Sequence, residues 1–289
     1  MRCGTVGSKS MQWKGRVAYL ATMHRKEQVI GPLLAEHLGI QVQVVAFDTD
    51  QLGTFSRERP RPGDPIHTLR LKIARALQDH PEALGLASEG SFGPHPQIPW
   101  IPWNQEWVML RVFEPGAEPL ELVGYAESTQ TNFSHRWVQS WAEALDFAQR
   151  AGFPQHALIA LDQPEKPQAI HKGIQDEATL KQVVGELLAR QGGLHLETDM
   201  RALYNPTRLQ VIAAATQNLI AKAQSLCPAC GTPGYWRIRS VSGLPCGQCG
   251  APTPVAKAWV YGCARCSHTH TEPVAEPWAD PAQCAFCNP

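Results

Sequence analysis

Eight of the nine cysteines lie in the last 63 residues, where they form four C-x-x-C pairs. The pairs are Cys227/Cys230, Cys246/Cys249, Cys263/Cys266 and Cys284/Cys287. Two intervening residues let a tight turn present both sulfurs to one ion, and two such turns complete a tetrahedral zinc site. The spacings C-x2-C-x15-C-x2-C and C-x2-C-x17-C-x2-C are typical of zinc ribbons. The sequence therefore predicts two structural Zn²⁺ ions, each held by four thiolates.

Two details of these metal sites stay open in the sequence. Sequential pairing of the C-x-x-C turns is the simple choice, while a crossed arrangement would join the first turn with the third and the second with the fourth. His268 and His270 could also replace a cysteine ligand, although four thiolates per site are already present. A closed four-cysteine site leaves no open coordination position, so we expect the metal to fold the tail rather than to catalyse.

The segments between the cysteine pairs mix aromatic and basic residues. Residues 235–240 and 257–262 are predicted to be short ribbon strands, and they carry Trp236, Arg237 and Trp259. Such side chains can cover the zinc sites, or they can stack on nucleic-acid bases or dock on a protein partner. The sequence does not choose between these interpretations.

A first candidate ligand site lies in the larger, N-terminal part of the chain, in the segment "ATMHRKE". Thr22, His24 and Lys26 fall between a predicted strand, 16–22, and the start of a helix. Free backbone N–H groups and the helix dipole favour an anion at such a place, and Lys26 adds positive charge. The alternative is a solvated capping turn.

A second candidate is Glu89, in the segment "ASEGSFG" at the end of a predicted strand, 84–92, that enters a Gly-rich loop. A carboxylate there can hold Mg²⁺ or orient water, and Gly90 lets a ligand approach the backbone. The alternative is a tight turn with a surface glutamate.

A third candidate is the segment "ETDMRALYNPTR". Glu197 and Asp199 lie two positions apart on a predicted strand, so both side chains point the same way. Two carboxylates on one buried face need a cation or Arg201 between them. Arg208 lies in the first turn of the following helix. The alternative is an Asp199–Arg201 ion pair that locks the strand.

The elements that must position these residues alternate between strands and helices up to about residue 224. This alternation predicts an α/β fold, a mixed sheet with helices on both faces, followed by a small zinc-ribbon domain. We expect a disordered leader at 1–14, an α/β domain at 15–224 and a double zinc ribbon at 225–289. Asp64 and Asn205, each followed by proline, are predicted helix N-caps, a further helix is expected after Ser134, and the proline-rich segment 93–103 is expected to be a loop.

Composition limits the classes of function. The 289 residues contain 26 Lys+Arg and 26 Asp+Glu, which argues against coating nucleic acid or membrane through bulk charge. The first 22 residues contain no signal-peptide or membrane-spanning stretch, so the sequence predicts a cytoplasmic protein with no membrane partner. Arg70, Lys72 and Arg75 spread over more than one helical face and are expected to be solvated.

Two resemblances add to this interpretation. The cysteine tail after "ETDMRALYNPTRLQVI" resembles an uncharacterised bacterial family of unknown function, over nearly all of residues 15–289. Residues 16–128 are similar to the inosine/xanthosine triphosphate pyrophosphatase fold, through "ATMHRKEQVIGPLL", "RLKIARAL" and "ASEGSFG". This second resemblance implies that Thr22 and Lys26 bind phosphate and that Glu89 serves the metal, although His24 stands where that family has Asn.

Two functions of different classes follow. The first is a Mg²⁺-dependent hydrolase of a nucleotide or other phosphorylated ligand, in which Glu89 and Glu197 or Asp199 hold the metal and Arg201 and Arg208 neutralise developing charge. The second is a non-catalytic adaptor whose zinc ribbons bind nucleic acid or a protein partner.

Overall fold

The computed structural model describes residues 13–45, 64–81 and 83–289, which divide into two units, Trp13–Ile220 and Ala221–Pro289. The larger unit contains two sheets with helices packed on them, and the smaller contains a three-stranded sheet. The predicted mixed α/β class is confirmed. The predicted leader lies outside the described residues except for its last two positions. None of the helices in the described ranges combines the length and the apolarity that a transmembrane span requires.

The first sheet of the larger unit has the strand order β2-β1-β3-β4-β5. Strand β1 is parallel to both β2 and β3, whereas β4 is antiparallel to both β3 and β5. The strands are β1 (Val17–Ala21), β2 (Gln41–Val45), β3 (Leu84–Pro94), β4 (Pro102–Val112) and β5 (Leu120–Ser128). Parallel neighbours require crossover helices. The register places the carboxyl end of β1 beside the middle of β3, since Leu20 pairs with Leu86 and β3 continues to Pro94.

Three helices belong to this sheet: α1 (Glu27–Leu38), α2 (Pro65–Ala76) and α5 (Pro206–Gln224). The predicted caps are confirmed. Asp64 accepts hydrogen bonds from the N–H groups of Ile66 and His67, at 2.8 and 3.0 Å. Asn205 accepts one from the N–H of Arg208 at 2.9 Å. These caps satisfy N–H groups that a helix start leaves unpaired.

The helices cover both faces of the sheet. Leu69 and Ile73 of α2 pack against Ala87 and Met109 on one face. On the other face α5 approaches so closely that a Cβ on Gly124 would lie 2.1 Å from a backbone oxygen of the helix. Because side chains alternate along a strand, neighbouring residues of β3 and β4 face different helices.

The hairpin of β3 and β4 is longer than the sequence predicts. Residues Leu84–Pro94 form one strand, and the pairing with β4 continues as far as Pro94 and Pro102. Glu89 and Gly90 therefore lie in the middle of a strand and not near its end, because the antiparallel ladder to β4 supplies hydrogen bonds along the whole segment. The predicted loop at 93–103 is correspondingly shortened at both ends.

The second sheet of this unit has the order β6-β9-β7-β8 and is antiparallel throughout. Its elements are β6 (His135–Val138), α3 (Trp141–Ala151), β7 (Leu158–Leu161), β8 (Ile170–Ile174), α4 (Glu177–Gln191) and β9 (Leu194–Thr198). The helix predicted after Ser134 begins later. Residues 135–138 pair with β9 instead, and Ser140 caps α3 by accepting a hydrogen bond from the N–H of Glu143 at 3.2 Å.

The smaller unit is built on three antiparallel strands in chain order. They are β10 (Trp236–Ser242), β11 (Ala256–Gly262) and β12 (Thr269–Pro273). One C-x-x-C pair precedes β10, one lies in each of the two connections, and one follows β12. Each strand therefore separates two successive cysteine pairs.

Candidate functional site

The eight cysteines of the tail form two separate clusters of four. One contains Cys227, Cys230, Cys263 and Cys266, and the other contains Cys246, Cys249, Cys284 and Cys287; in each, the ligand sulfurs lie within 4.8 Å of one another. Closest sulfur–sulfur distances are 3.6 and 3.8 Å in the first cluster and 3.7 and 3.8 Å in the second. Disulfide sulfurs lie at ~2.05 Å, whereas four thiolates at ~2.3 Å from one tetrahedral ion lie ~3.8 Å apart. Each cluster can therefore hold a metal ion, and its geometry is compatible with zinc.

The pairing of the cysteine turns is crossed, so the simpler expectation of sequential pairing is wrong. The reason is the direction of the strands. Trp236 at the start of β10 pairs with Gly262 at the end of β11, which brings the first and third turns to one end of the sheet. Ala258 pairs with Pro273 at the end of β12, which places the fourth turn at the end that carries the second. Because one strand separates each turn from the next, successive turns lie at opposite ends of the sheet, and the first and third turns share one end.

Local backbone structure prepares the cysteine turns for a metal. Gly231 and Gly250, each directly after the second cysteine of a pair, have φ of 72° and 74°, as expected for these turns. The backbone N–H groups of Gln248 and Arg265 lie 3.4 and 3.3 Å from the sulfurs of Cys246 and Cys263. Such N–H groups stabilise the thiolate form of a cysteine.

The thiols differ in how readily they ionise. A hydrogen bond with the Thr232 hydroxyl lowers the pKa of Cys230 to about 6, and backbone N–H groups lower that of Cys246 to about 7. Hydrogen bonding with Cys249, together with burial, raises the pKa of Cys287 to about 12. Each cluster thus offers at least one thiol that ionises near neutral pH, the form that binds metal.

The two histidines of the tail do not join the cysteine clusters. Nδ1 of His270 lies 2.7 Å from the Tyr235 hydroxyl, and the His270 ring stacks on Tyr261 at 4.8 Å. His270 lies on β12, and the His268 ring lies 5.6 Å from that of Tyr235. These rings form an aromatic cluster beside the ribbon strands, so the alternative of a histidine ligand is not needed.

In the larger unit, Lys26 and Lys72 meet at the carboxyl end of β1, beside the middle of β3. Their Nζ atoms lie 3.5 and 3.3 Å from the carbonyl oxygen of Ser88, and both residues are buried. Lys72 also forms an ion pair with Glu89. Thr22 is buried and its hydroxyl accepts a hydrogen bond from the N–H of His24 at 3.3 Å. The structure thus brings Thr22, Lys26 and Glu89 to one edge of the sheet.

Sequence reasoning missed Lys72 in this site. It was expected to be solvated with Arg70 and Arg75, but it lies buried between α2 and β3. Arg70 and Arg75 match the solvated expectation, since both are exposed, and Arg70 forms an ion pair with Glu121 at 2.7 Å. The available signal was position, because Lys72 falls on the same helical stripe as the apolar residues Leu69 and Ile73.

A second ion pair lies deeper in the same region. Arg208 of α5 donates to Glu106 of β4 at 2.7 Å, and neither side chain is exposed to solvent. Arg208 also donates to the carbonyl of Met200 at 2.5 Å. A Cβ at Gly90 would lie 2.4 Å from a carboxylate oxygen of Glu106 and 2.5 Å from Nη2 of Arg208, so this position requires glycine. Glu106 was missed because its partner Arg208 lies 102 positions away in the sequence.

Burial and neighbouring positive charges lower the pKa values of Lys26 and His24. Burial, and the neighbouring charges of Arg208 and Lys72, lower the pKa of Lys26 to about 7. Burial, together with the charges of Lys26, Arg208, Arg201 and Lys72, lowers the pKa of His24 to about 3, so its imidazole is neutral at pH 7.

The carboxylates of the third candidate segment, Glu197 and Asp199, have different partners. Asp199 is fully buried and forms an ion pair with Arg201 at 2.6 Å, which is the structural alternative that the sequence left open. Its carboxylate also accepts a hydrogen bond from the N–H of Gly173 at 3.1 Å. Glu197 lies on β9 with its Oε1 3.2 Å from Nε2 of His195. Within the described ranges, only the cysteine clusters bring three or more metal-ligating side chains together.

Comparison with known protein families gives a match over most of the chain. Residues 72–289 match a family described as a domain of unknown function (DUF6671), which covers most of the chain and includes all eight clustered cysteines. The resemblance to an uncharacterised family is thereby confirmed. No curated protein matches the chain. The similarity of residues 16–128 to the pyrophosphatase fold stays a prediction.

Proposed function

Because the chain belongs to the DUF6671 family, whose function is unknown, we propose a function from the geometry of its site. The α/β unit is a Mg²⁺-dependent hydrolase of a phosphorylated ligand, a nucleotide being the simplest class. The phosphate lies at the carboxyl end of β1, beside the middle of β3, against Lys26. The zinc ribbons are structural.

The observation that carries this proposal is the excess of buried positive charge at Lys26. Three cations, Lys26, Lys72 and Arg208, face two carboxylates, Glu89 and Glu106. Each carboxylate already has a cation of its own, in the pairs Lys72–Glu89 and Glu106–Arg208. The single hydrogen bond of the Lys26 amino group within the described ranges is the 3.5 Å contact with the carbonyl of Ser88. A buried cation without a counterion is costly, and an anionic ligand would relieve that cost.

Two further features favour phosphate as the anion. Lys26 is the N-cap residue of α1, so the partial positive charge of the helix start adds to that of the side chain. The buried hydroxyl of Ser88 has no hydrogen-bond partner in the described part of the chain, and it can donate to an anion. A phosphate has enough acceptor oxygens to satisfy several donors at once.

Glu89 is the residue that we assign to Mg²⁺. This ion keeps several waters and commonly binds one or two protein carboxylates together with phosphate oxygens of the substrate. A single carboxylate beside the phosphate therefore suffices, and the metal need not be held by Glu197 or Asp199. Bound Mg²⁺ would polarise the phosphate and activate a water for in-line attack. Lys72 holds the Glu89 side chain in place, and Lys26 and Arg208 stabilise the developing negative charge.

The test is an assay of purified, zinc-loaded protein with Mg²⁺ and a panel of nucleoside triphosphates, followed by phosphate or pyrophosphate release. Lys26→Met and Glu89→Gln should each lower kcat/KM by about 100-fold or more. Lys181→Met, an exposed change on α4, is the matched control. Turnover that survives both site changes would remove this assignment.

A second function is supported by one specific feature of the ribbon. The guanidinium of Arg237 lies 4.8 Å from the ring centroid of Trp259 and 5.8 Å from that of Tyr261, and Ile238 next to it is 60% exposed. A stacked arginine on an aromatic pair is a surface on which single-stranded nucleic acid can bind. In this alternative the protein is an adaptor.

Fluorescence anisotropy with a mixed-sequence single-stranded RNA separates the two functions. The adaptor requires salt-sensitive binding that Arg237→Ala and Trp259→Ala abolish and that Arg190→Ala, an exposed change on α4, leaves intact. Absence of RNA binding, combined with Lys26-dependent turnover, leaves the hydrolase.

A further inference from the structure

A groove opens beside the charged site, within the larger unit. It has a volume of about 580 Å³, within the range of small-molecule sites. One wall is the connection between β3 and β4, the other is the segment before β6, and the end of α3 closes the side. The lining side chains include Pro99, Trp100, Ile101, Phe133, His135 and Arg150.

The wall that carries Trp100 is a turn held by several hydrogen bonds. The N–H of His95 donates to the carbonyl of Ile101 at 2.8 Å, and the N–H of Ile101 donates to that of Ile98 at 2.9 Å. Nδ1 of His95 accepts hydrogen bonds from Gln97 and Ile98, both at 3.2 Å. Despite this scaffold Trp100 is 83% exposed, more than the other large apolar side chains in the described part of the chain. The turn thus holds a large aromatic ring out at the groove.

The floor of the groove is joined to the charged site. The ring of Phe133 lies 5.7 Å from that of Phe92, and the guanidinium of Arg208 lies 5.2 Å from the centroid of the same Phe92 ring. Asn132, also in the groove, accepts a hydrogen bond at 2.9 Å from Asn205, the cap residue of the helix that carries Arg208. Residues of the groove and of the charged cluster are therefore linked through Phe92 and Asn205.

We propose that this groove binds the base of the phosphorylated ligand, with the base stacked on Trp100. This inference rests on the proposed function, since it places the second half of the same ligand. Ser88, at the phosphate end, and Phe92, at the groove, are four strand residues apart, about 13 Å at ~3.3 Å per residue. An extended nucleoside triphosphate spans a distance of this order. An exposed tryptophan beside Phe133 fits a flat aromatic ring, because stacking on an aromatic side chain needs only a π-face.

The test compares ligands with and without a base, by calorimetry on the full zinc-loaded chain with Mg²⁺. The probes are the non-hydrolysable imido analogues of ATP, GTP and UTP on one side and tripolyphosphate on the other. Trp100→Ala should weaken the binding of at least one nucleotide by about fivefold or more, and Trp100→Phe should keep most of that affinity. Tripolyphosphate should bind Trp100→Ala as it binds the wild type. Trp278→Ala, an exposed tryptophan of the ribbon unit, is the matched control.

The outcomes separate this inference from the proposed function. If Lys26→Met removes tripolyphosphate binding while Trp100→Ala changes no nucleotide affinity, the phosphate site stands and the base site falls. Equal losses for tripolyphosphate and nucleotides in Trp100→Ala also overturn the base site, because they indicate general disruption. If neither class of probe binds the wild type, both proposals fall.

Discussion

Lys26 and Lys72 direct their amino groups at the same carbonyl oxygen, that of Ser88, at 3.5 and 3.3 Å. Lys72 has Glu89 as a counterion, whereas within the described ranges Lys26 has no carboxylate within hydrogen-bond distance. The two lysines share one acceptor, but only Lys72 has a counterion at hydrogen-bond distance within the described ranges. The function proposed above rests on the charge of Lys26.

Anion binding should depend on pH through Lys26. Its pKa is about 7, and only the protonated amine attracts an anion. The affinity for tripolyphosphate is therefore expected to fall as the pH rises through 7. The other charged groups around it are Lys72, Arg208, Glu89 and Glu106, and His24 has a pKa of about 3, too low to titrate in this range. Calorimetry at pH 6, 7 and 8 measures the effect.

The control for this pH dependence is Lys26→Arg, whose guanidinium stays protonated throughout the range. It should flatten the profile. A tripolyphosphate affinity that declines equally in wild type and Lys26→Arg would assign the pH dependence to another group.

Lys26→Met should stabilise the larger unit while it removes binding. The folded pKa of Lys26 lies below its ordinary value of 10.5, so the folded state disfavours the ammonium. The cost is complete below pH 7 and shrinks as the pH rises toward 10.5. We expect the substitution to raise the free energy of unfolding by about 1–3 kcal/mol at pH 7, and by less at pH 9. Denaturant titration at both pH values measures the gain, and a loss of stability at pH 7 would contradict it.

Gly90→Ala should disrupt the buried pair of Glu106 and Arg208. The added Cβ would meet a carboxylate oxygen at 2.4 Å and a guanidinium nitrogen at 2.5 Å, neither of which has room to move in a fully buried pair. The expected loss is about 2–4 kcal/mol of unfolding free energy. Gly185→Ala, on α4 with no atom within 4 Å of the added Cβ, is the matched control and should be neutral or slightly stabilising. Equal stability of the two variants would contradict the tight packing at Gly90.

The crossed pairing of the cysteine turns can be measured by metal counting. Cys227→Ser with Cys263→Ser changes two ligands of one cluster, so native mass spectrometry in a competing chelator should find one zinc per chain. Cys227→Ser with Cys246→Ser changes one ligand in each cluster and should weaken both sites. Sequential pairing predicts the reverse assignment of these two double variants, so one experiment decides between them.

The sequence predicted the parts of the fold that depend on local chemistry. Asp64 and Asn205 were identified as caps because a side-chain acceptor before a proline has few other uses. The eight cysteines were identified because thiolate spacing is a property of the chain itself. The crossed pairing of the cysteine turns could also have been predicted. If one antiparallel strand separates each turn from the next, successive turns lie at opposite ends of the sheet.

The parts that sequence reasoning missed depend on contacts between distant residues. Lys72 and Glu89 are 17 positions apart, and Arg208 and Glu106 are 102 apart. No local pattern marks a lysine or glutamate whose counterion comes from another element. The second sheet was not separated from the first for the same reason, because the pairing of β6 with β9 joins residues about sixty positions apart.

The crossed arrangement also makes the two metal sites interlock. The chain between Cys227 and Cys266 contains Cys246 and Cys249, and the chain between Cys246 and Cys287 contains Cys263 and Cys266. An ion bound at either end shortens the loop that the other ion must close, so the first to bind lowers the entropic penalty for the second. Uptake of the pair should therefore be cooperative, and half-loaded chains should be scarce during a zinc titration.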